Sequence, residues 1–340
     1  MITRSLRLLW QTISACGRLL RRLLLLLGLI WTVGLYSYYP TGLLLLPACA
    51  GLIGLIIALA GTAVIKPIKT EGRLWCCVLI SLIFFRLIPG PQPEKWQAPW
   101  QHAPIFDIQG NTLTIHNLRD FRYRSEHDFV PVWRTETYDL SAITGADFAE
   151  CHWDGMEMIC HTMISFSFAD GKHLVVSAET RLPEGETQSA IGGLYKRYGL
   201  IYLFGTEEDI FGLRTNHRHE DLVLIPMRVK PEKARDMLLH FIRLARETEE
   251  SHTAYNTLSN NCSSGVMSTF RQLAPNMPRY YDLAPIHNGD ISKILFRHGA
   301  LHTRPGESYD ELRKRCYLRY DISPDNPQLY SEALRNIINQ

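Results

Sequence analysis

Cys262 stands where a polar, turn-forming stretch, Tyr255-Asn256-Thr257-Leu258-Ser259-Asn260-Asn261, gives way to the helical pattern Cys262-Ser263-Ser264-Gly265-Val266-Met267. At a helix start the unpaired backbone N–H groups and the positive end of the dipole favour a thiolate over a thiol. The thiolate is the nucleophilic form, so a chain can build a reactive cysteine in this way. A small buried hydrophobe at a helix start is the competing reading of the same residue. A nearby base would separate the two.

A catalytic thiol needs a group that holds its proton and returns it to the leaving group, and a third polar group that orients that base. The chain has 13 histidines. Most, such as His217 and His219, lie in polar turns and read as solvated. His161 differs, because it opens the first strand of a hairpin turned by Ala169-Asp170-Gly171. A three-residue loop with Gly171 in the left-handed position pairs Phe168 with Lys172, Phe166 with Leu174 and Ile164 with Val176. Only this register keeps one coherent apolar face; a two-residue loop mixes the faces. It sets His161 across from Glu179, with Cβ atoms ~4.5–5.5 Å apart. Glu179 accepting from one ring nitrogen fixes the tautomer and leaves the other nitrogen for Cys262. The expected triad is Cys262, His161 and Glu179, with the Cys262 N–H and the Asn261 side chain as oxyanion donors or support. A strand-edge histidine in an ordinary surface pair with Glu179 is the plainer alternative.

The sequence has no Cys-x-x-Cys or His-x-x-x-His near the thiol, and His217-x-His219 alone is a weak metal signal. Nucleotide-binding loops are absent from the sequence. The expectation is therefore no metal and no cofactor.

The blocks His161-Thr162-x-x-Ser165-Phe166-x-Phe168-x-Asp170-Gly171, Ser177-x-Glu179-x-Arg181, Leu213-Arg214-Thr215-Asn216 and Tyr255-Asn256-Thr257-x-x-Asn260-Asn261-Cys262 resemble the Lnb N-terminal periplasmic domain family of bacterial inner-membrane proteins. The likeness spans most of residues 108–273. It implies an α+β, papain-like (NlpC-like) thiol domain in circularly permuted order, histidine strand before cysteine helix, with an antiparallel sheet packed on helices. By the same resemblance Cys262 is the nucleophile, His161 its partner and Glu179 the third member. The branch that gives the family its name is similar to lipoprotein N-acylating transferases, which move a fatty acyl chain onto a lipoprotein's N-terminal cysteine. Those transferases usually carry membrane spans after the thiol domain, whereas here the apolar segments come first. The expected activity is acyl transfer on a lipid or lipoprotein through a Cys262 thioester. A thiol amidase or peptidase acting on peptidoglycan or an envelope peptide is the alternative, and a non-enzymatic envelope scaffold is a third reading.

The segments that must carry such a domain are strongly apolar. Residues 23–65 contain no charged side chain, and Tyr36-Ser37-Tyr38-Tyr39-Pro40-Thr41-Gly42 divides the run with an aromatic, turn-rich stretch suited to a membrane–water interface. Spans are expected at about 23–39, 43–65 and, with Arg86 snorkelling near its end, 74–88. Arg4, Arg7, Arg18, Arg21 and Arg22 precede the first span, and Lys66, Lys69 and Arg73 separate the second from the third. By the positive-inside rule the basic N-terminus, 1–22, is cytoplasmic and everything after Ile88 is periplasmic. A cleaved signal peptide is the competing reading; the apolar region is too long for it, and no small-residue cleavage site follows the first run.

Residues 89–102 read as a Pro-rich tether, with Trp96 and Trp100 suited to the interface, and 103–340 as one periplasmic domain. Within it, 105–115 suggests two short strands about the Gly110-Asn111 turn, 199–205 and 221–227 further strands, 189–198 a short helix and 231–247 a long one. The long helix has its apolar stripe at Ala234, Met237, Leu238, Phe241, Ile242 and Ala245. The tail after Pro278 reads as loops and short helices. The chain is 46% hydrophobic with a formal charge of +2, so there is no basic surplus and no nucleic-acid partner is expected. The expected partners are the bilayer itself and a lipid, lipoprotein or envelope polymer substrate. Cys151 and Cys160 are spaced to close a small loop around Trp153-Asp154-Gly155 by a disulfide, which the sequence leaves open.

Overall fold

Gly171 turns the chain with φ at +81°. The strands on either side, His161–Phe168 and His173–Arg181, pair in the register that the apolar pattern demands, Phe166 opposite Leu174 and Ile164 opposite Val176. The loop closes as expected for three residues, with the Phe168 N–H donating to the Lys172 carbonyl at 3.0 Å. The structure is a computed structural model that describes residues 2–39, 42–59, 67–152, 159–273, 288–318, 322 and 327–339. Several sequence expectations lie outside the described residues: Pro40 and Thr41 of the interfacial turn, the end of the second span at 60–65, Lys66, the Trp153-Asp154-Gly155 loop, and parts of the tail after Pro278.

The chain divides into two compact units, Met1–Pro89 and Gly90–Gln340. The first is helical: α1 (Ile2–Tyr38), α2 (Leu45–Leu59) and α3 (Pro67–Leu87). Its arginine- and leucine-rich leader is continuous with α1, because both residue types are good helix formers. Leu25, Leu29, Leu55 and Val78 form the buried contact among the three helices, and the Trp31 ring meets Phe85 edge-on at 5.1 Å. Glu71 near the start of α3 pairs with Arg21 at 2.7 Å and Arg22 at 2.9 Å on α1. Among the described residues one helix, Ile13–Tyr38, is long and apolar enough to cross a membrane, and Leu45–Ile57 is a shorter apolar helix.

The second unit is α+β. Its strands are β1 (Ile105–Gln109), β2 (Thr112–Arg119), β3 (Arg122–Tyr123), β4 (Phe129–Val130), β5 (Trp133–Asp139), β6 (Ile143–His152), β7 (His161–Phe168), β8 (His173–Arg181), β9 (Gly199–Gly205), β10 (Asp221–Pro226) and β11 (Tyr317–Leu318). Eight of them run in the order β1-β2-β9-β8-β7-β6-β10-β11, with β5 added on β2, while β3 and β4 pair separately. One join departs from the expected antiparallel sheet: β2 meets β9 in parallel, through Arg119 and Gly205. The chain between these two strands is long, so no tight turn imposes antiparallel pairing and the sheet is mixed.

Helices cover both faces. They are α4 (Ala190–Leu194), α5 (Glu207–Gly212), α6 (Pro231–Glu250), α7 (Cys262–Leu273), α8 (Ile291–Arg297), α9 (Tyr309–Arg315) and α10 (Pro327–Ile338). On one face α6 and α7 seal an apolar layer. All six expected stripe residues of α6 are buried, and Phe241 meets the rings of Phe166 and Tyr202 at 6.4 and 6.3 Å. Each large apolar side chain buried there contributes roughly 1.5–3 kcal/mol. On the other face α5 and α10 meet polar groups of the sheet. Ser165 donates to Glu207 at 2.6 Å, and Arg335 reaches both Glu207 and Asp147 at 2.7 Å. The Pro-rich segment is laid against the domain: Trp96 bridges to Pro183 and lies over the Arg181 guanidinium at 4.6 Å.

The packing of α7 is tight at Gly265. A Cβ there would stand 2.4 Å from the hydroxyl oxygen and 2.9 Å from a ring carbon of buried Tyr202. Gly265→Ala gains roughly 1 kcal/mol of helix propensity, but overpacking against a rigid ring costs about 1–3 kcal/mol. The expected outcome is a lower unfolding temperature, partly recovered when Tyr202→Phe removes the hydroxyl.

Candidate active site

Asn261 ends the loop and caps α7. Its Oδ1 accepts from the N–H groups of Ser263 and Ser264 at 3.1 and 3.2 Å, the two donors that a helix start leaves unpaired. Its Nδ2 donates to the Thr257 carbonyl at 2.9 Å. Both ends of the Asn261 amide are thus engaged at the helix start. Cys262 is the first residue of α7, 9% exposed.

His161 opens β7, and continuation of the β7–β8 register places it opposite Glu179. Its Nε2 lies 2.7 Å from Ser177 Oγ and 3.2 Å from Glu179 Oε1. Ser177 in turn donates to Glu179 Oε1 at 2.6 Å. With Nε2 turned to this pair, Nδ1 is the ring nitrogen left over, and the Cys262 thiol lines the same cavity as the imidazole. The structure thus brings Cys262, His161 and Glu179 together.

Sequence reasoning gave no role to three neighbours. Ser177 sits two residues before Glu179 on β8, so strand periodicity puts both on one face, a signal that was available. Arg214 donates to Glu179 at 3.0 Å from a π-helical turn, Leu213–His217, that continues α5. Such turns are rare and frequent at functional sites. Asn288 donates from Nδ2 to the Cys160 carbonyl at 2.6 Å and to Ser263 Oγ at 2.8 Å, and this nitrogen is 3.7 Å from the Cys262 sulfur. It comes from beyond α7, where no local pattern announces it.

The charges are mutually reinforcing. Burial pushes the Glu179 carboxyl up, but His161, Arg214 and the Ser177 hydroxyl outweigh it and hold the carboxyl well below its usual range. Burial pushes the His161 imidazole towards neutrality, but Glu179 and the Cys262 sulfur raise it to about 9. Burial likewise pushes the Cys262 thiol up, and its hydrogen bond and attraction to His161 reverse the direction. Cys151, Cys160 and Cys316 behave oppositely, each raised by burial. All three are free thiols, so the disulfide left open by the sequence does not form between Cys151 and Cys160. The Cys151 thiol instead donates to Glu220 at 2.9 Å, and that of Cys160 to the Asn288 carbonyl at 3.4 Å.

The thiol faces an open cavity of ≈ 610 Å³ whose walls include apolar Ile159, Tyr255 and Leu258 and polar Gln188, Arg218 and Glu220. The space admits a ligand of drug-like size or one end of a larger molecule.

Residues 129–292 match the Lnb N-terminal periplasmic domain. That stretch is a domain of this family. No curated protein and no solved structure matches the chain. The matched stretch contains every member of the site, from His161 through Asn288, and leaves β1, β2 and α9–α10 outside it. The apolar helix Ile13–Tyr38 and the periplasmic type of the matched domain are consistent with a membrane protein that carries a periplasmic domain.

Proposed function

We propose that the Lnb-type domain is a thiol acyltransferase that acts on a lipid or lipoprotein through a Cys262 thioester. It follows a papain-like plan in permuted order, with the histidine strand β7 ahead of the cysteine helix α7. The observation that carries this reading is that Cys262 and His161 line one open cavity, with Glu179 behind the imidazole.

The Cys262 thiolate attacks the carbonyl carbon of an acyl donor, and the Cys262 N–H stabilises the oxyanion. The bond to the donor alcohol breaks, and His161 gives that oxygen the proton it took from the thiol. An acceptor amine then attacks the thioester, passes a proton to His161, and the thiolate departs. Water as acceptor gives a hydrolase instead, the amidase or peptidase alternative. Three spans with a cytoplasmic N-terminus hold the domain near the bilayer. The pairing of Glu71 with Arg21 and Arg22 supports this arrangement, since it sets the basic residues that precede the apolar stretch of α1 beside the start of α3. An anchored domain meets lipids and lipoproteins more often than free peptides.

The test is intact-protein mass spectrometry after incubation with phospholipid vesicles bearing a labelled acyl chain. A hydroxylamine-sensitive adduct of one acyl group, absent in Cys262→Ala, is expected, followed by an acylated amine once acceptor is added. Free fatty acid as the sole product favours the hydrolase, and no adduct under either condition ends the acyl-transfer reading.

A further inference from the structure

A second group of ligating side chains lies beside the thiol site. Glu150 and His152 are two apart on β6, so they project from the same face. The β6–β7 register pairs Glu150 with Thr162 and Cys151 with His161, and one step further sets Cys160 opposite His152. The carboxylate, imidazole and thiol ligand atoms all lie within 4.8 Å of one another, and all three residues are buried. Glu150 is 0% exposed; its Oε1 accepts from Arg313 Nε at 3.2 Å, while its Oε2 has no hydrogen-bond partner among the described residues. A buried carboxylate oxygen left unsatisfied is costly, and a cation beside it removes that cost.

We infer that Glu150, His152 and Cys160 bind one zinc ion. A thiolate with an imidazole selects zinc over magnesium or calcium, and a carboxylate is an ordinary third ligand. Binding forms Zn–S, Zn–N and Zn–O bonds and releases the Cys160 proton to water; no electron is transferred. One dication balances one thiolate and one carboxylate, and Arg313, paired with that carboxylate and partly exposed, leaves the group with one positive charge. Arg313 then orients the Glu150 carboxylate from behind, as the outer partners of metal ligands do.

The ion's role here is to fasten a strand end. Cys160 is joined to His161, and its carbonyl is held by Asn288, which also reaches Ser263 on α7. Fixing the Cys160 side chain therefore fixes the start of β7 against the start of α7. The inference rests on the cluster alone and is independent of the acyl-transfer reading.

Full-length protein purified in detergent without chelator is expected to carry close to one zinc per chain by elemental mass spectrometry. His152→Ala lowers that occupancy about tenfold or more. Replacement of zinc by cobalt gives a thiolate-to-cobalt charge-transfer band that Cys160→Ser removes and Cys262→Ser leaves. Unaltered protein that holds no zinc as purified, and none after equilibration with excess zinc and desalting, overturns the inference. A cobalt band that survives Cys160→Ser overturns it too.

Discussion

Cys262→Ala is expected to remove all covalent capture by a thiol-directed acyl probe and to lower acyl transfer by about three orders of magnitude or more. The size of the effect follows from the chemistry. Without the sulfur no thioester forms, and what remains is binding and whatever the oxyanion donor contributes to direct attack. The fold should be untouched, since alanine fits where the small thiol sat and Asn261 still caps α7. Cys151, Cys160 and Cys316 serve as internal controls: burial raises each thiol, so each is a poor nucleophile at neutral pH. Probe labelling that persists at full stoichiometry in Cys262→Ala, mapped by peptide mass spectrometry to another cysteine, would falsify the assignment.

The second large effect is on pH dependence, and two readouts are expected to separate. Alkylation of Cys262 needs only the thiolate, so its rate should rise with pH through a midpoint below the ordinary thiol value of 9.0 and then stay level. Acyl transfer also needs a proton on His161 for the leaving group. It should rise with the thiolate and fall again as His161 deprotonates at about 9. The sign is set by Glu179, whose negative charge raises the imidazole above its ordinary 6.5. Glu179→Gln therefore moves the descending limb to lower pH, towards 6.5, and weakens the attraction that keeps the thiol ionised. Stopped-flow alkylation and acyl-transfer rates on the same samples make the comparison. A descending limb that does not move in Glu179→Gln assigns that proton to another group.

Much of the site was legible because it is built from local patterns. The hairpin around Gly171 has one apolar face in only one register, and that register alone puts His161 opposite Glu179. The loop of small polar residues before Cys262 announces a helix start, and the stripe on α6 repeats at helical spacing. Other parts lack a local signal for identifiable reasons. β6 is buried on both faces, so it shows no alternation, and it carries Asp147 and Glu150 where a sequence reader expects apolar residues. Their counter-charges, Arg335 and Arg313, are 188 and 163 residues away along the chain. Arg214 depends on a π-helical turn that no spacing rule marks, and Asn288 reaches Cys160 across 128 residues. The parallel meeting of β2 and β9 is likewise a product of long connections.

The bond between Arg335 and the acids of β6 and α5 bears on how the domain is made. As the polypeptide emerges, Asp147 and Glu207 appear long before the guanidinium that will neutralise them. Until then, closing the sheet would bury two carboxylates without a cation, which is strongly unfavourable. Early collapse of this face is thereby discouraged. Closure of the sheet over these two acids is expected to need α10, which carries the guanidinium.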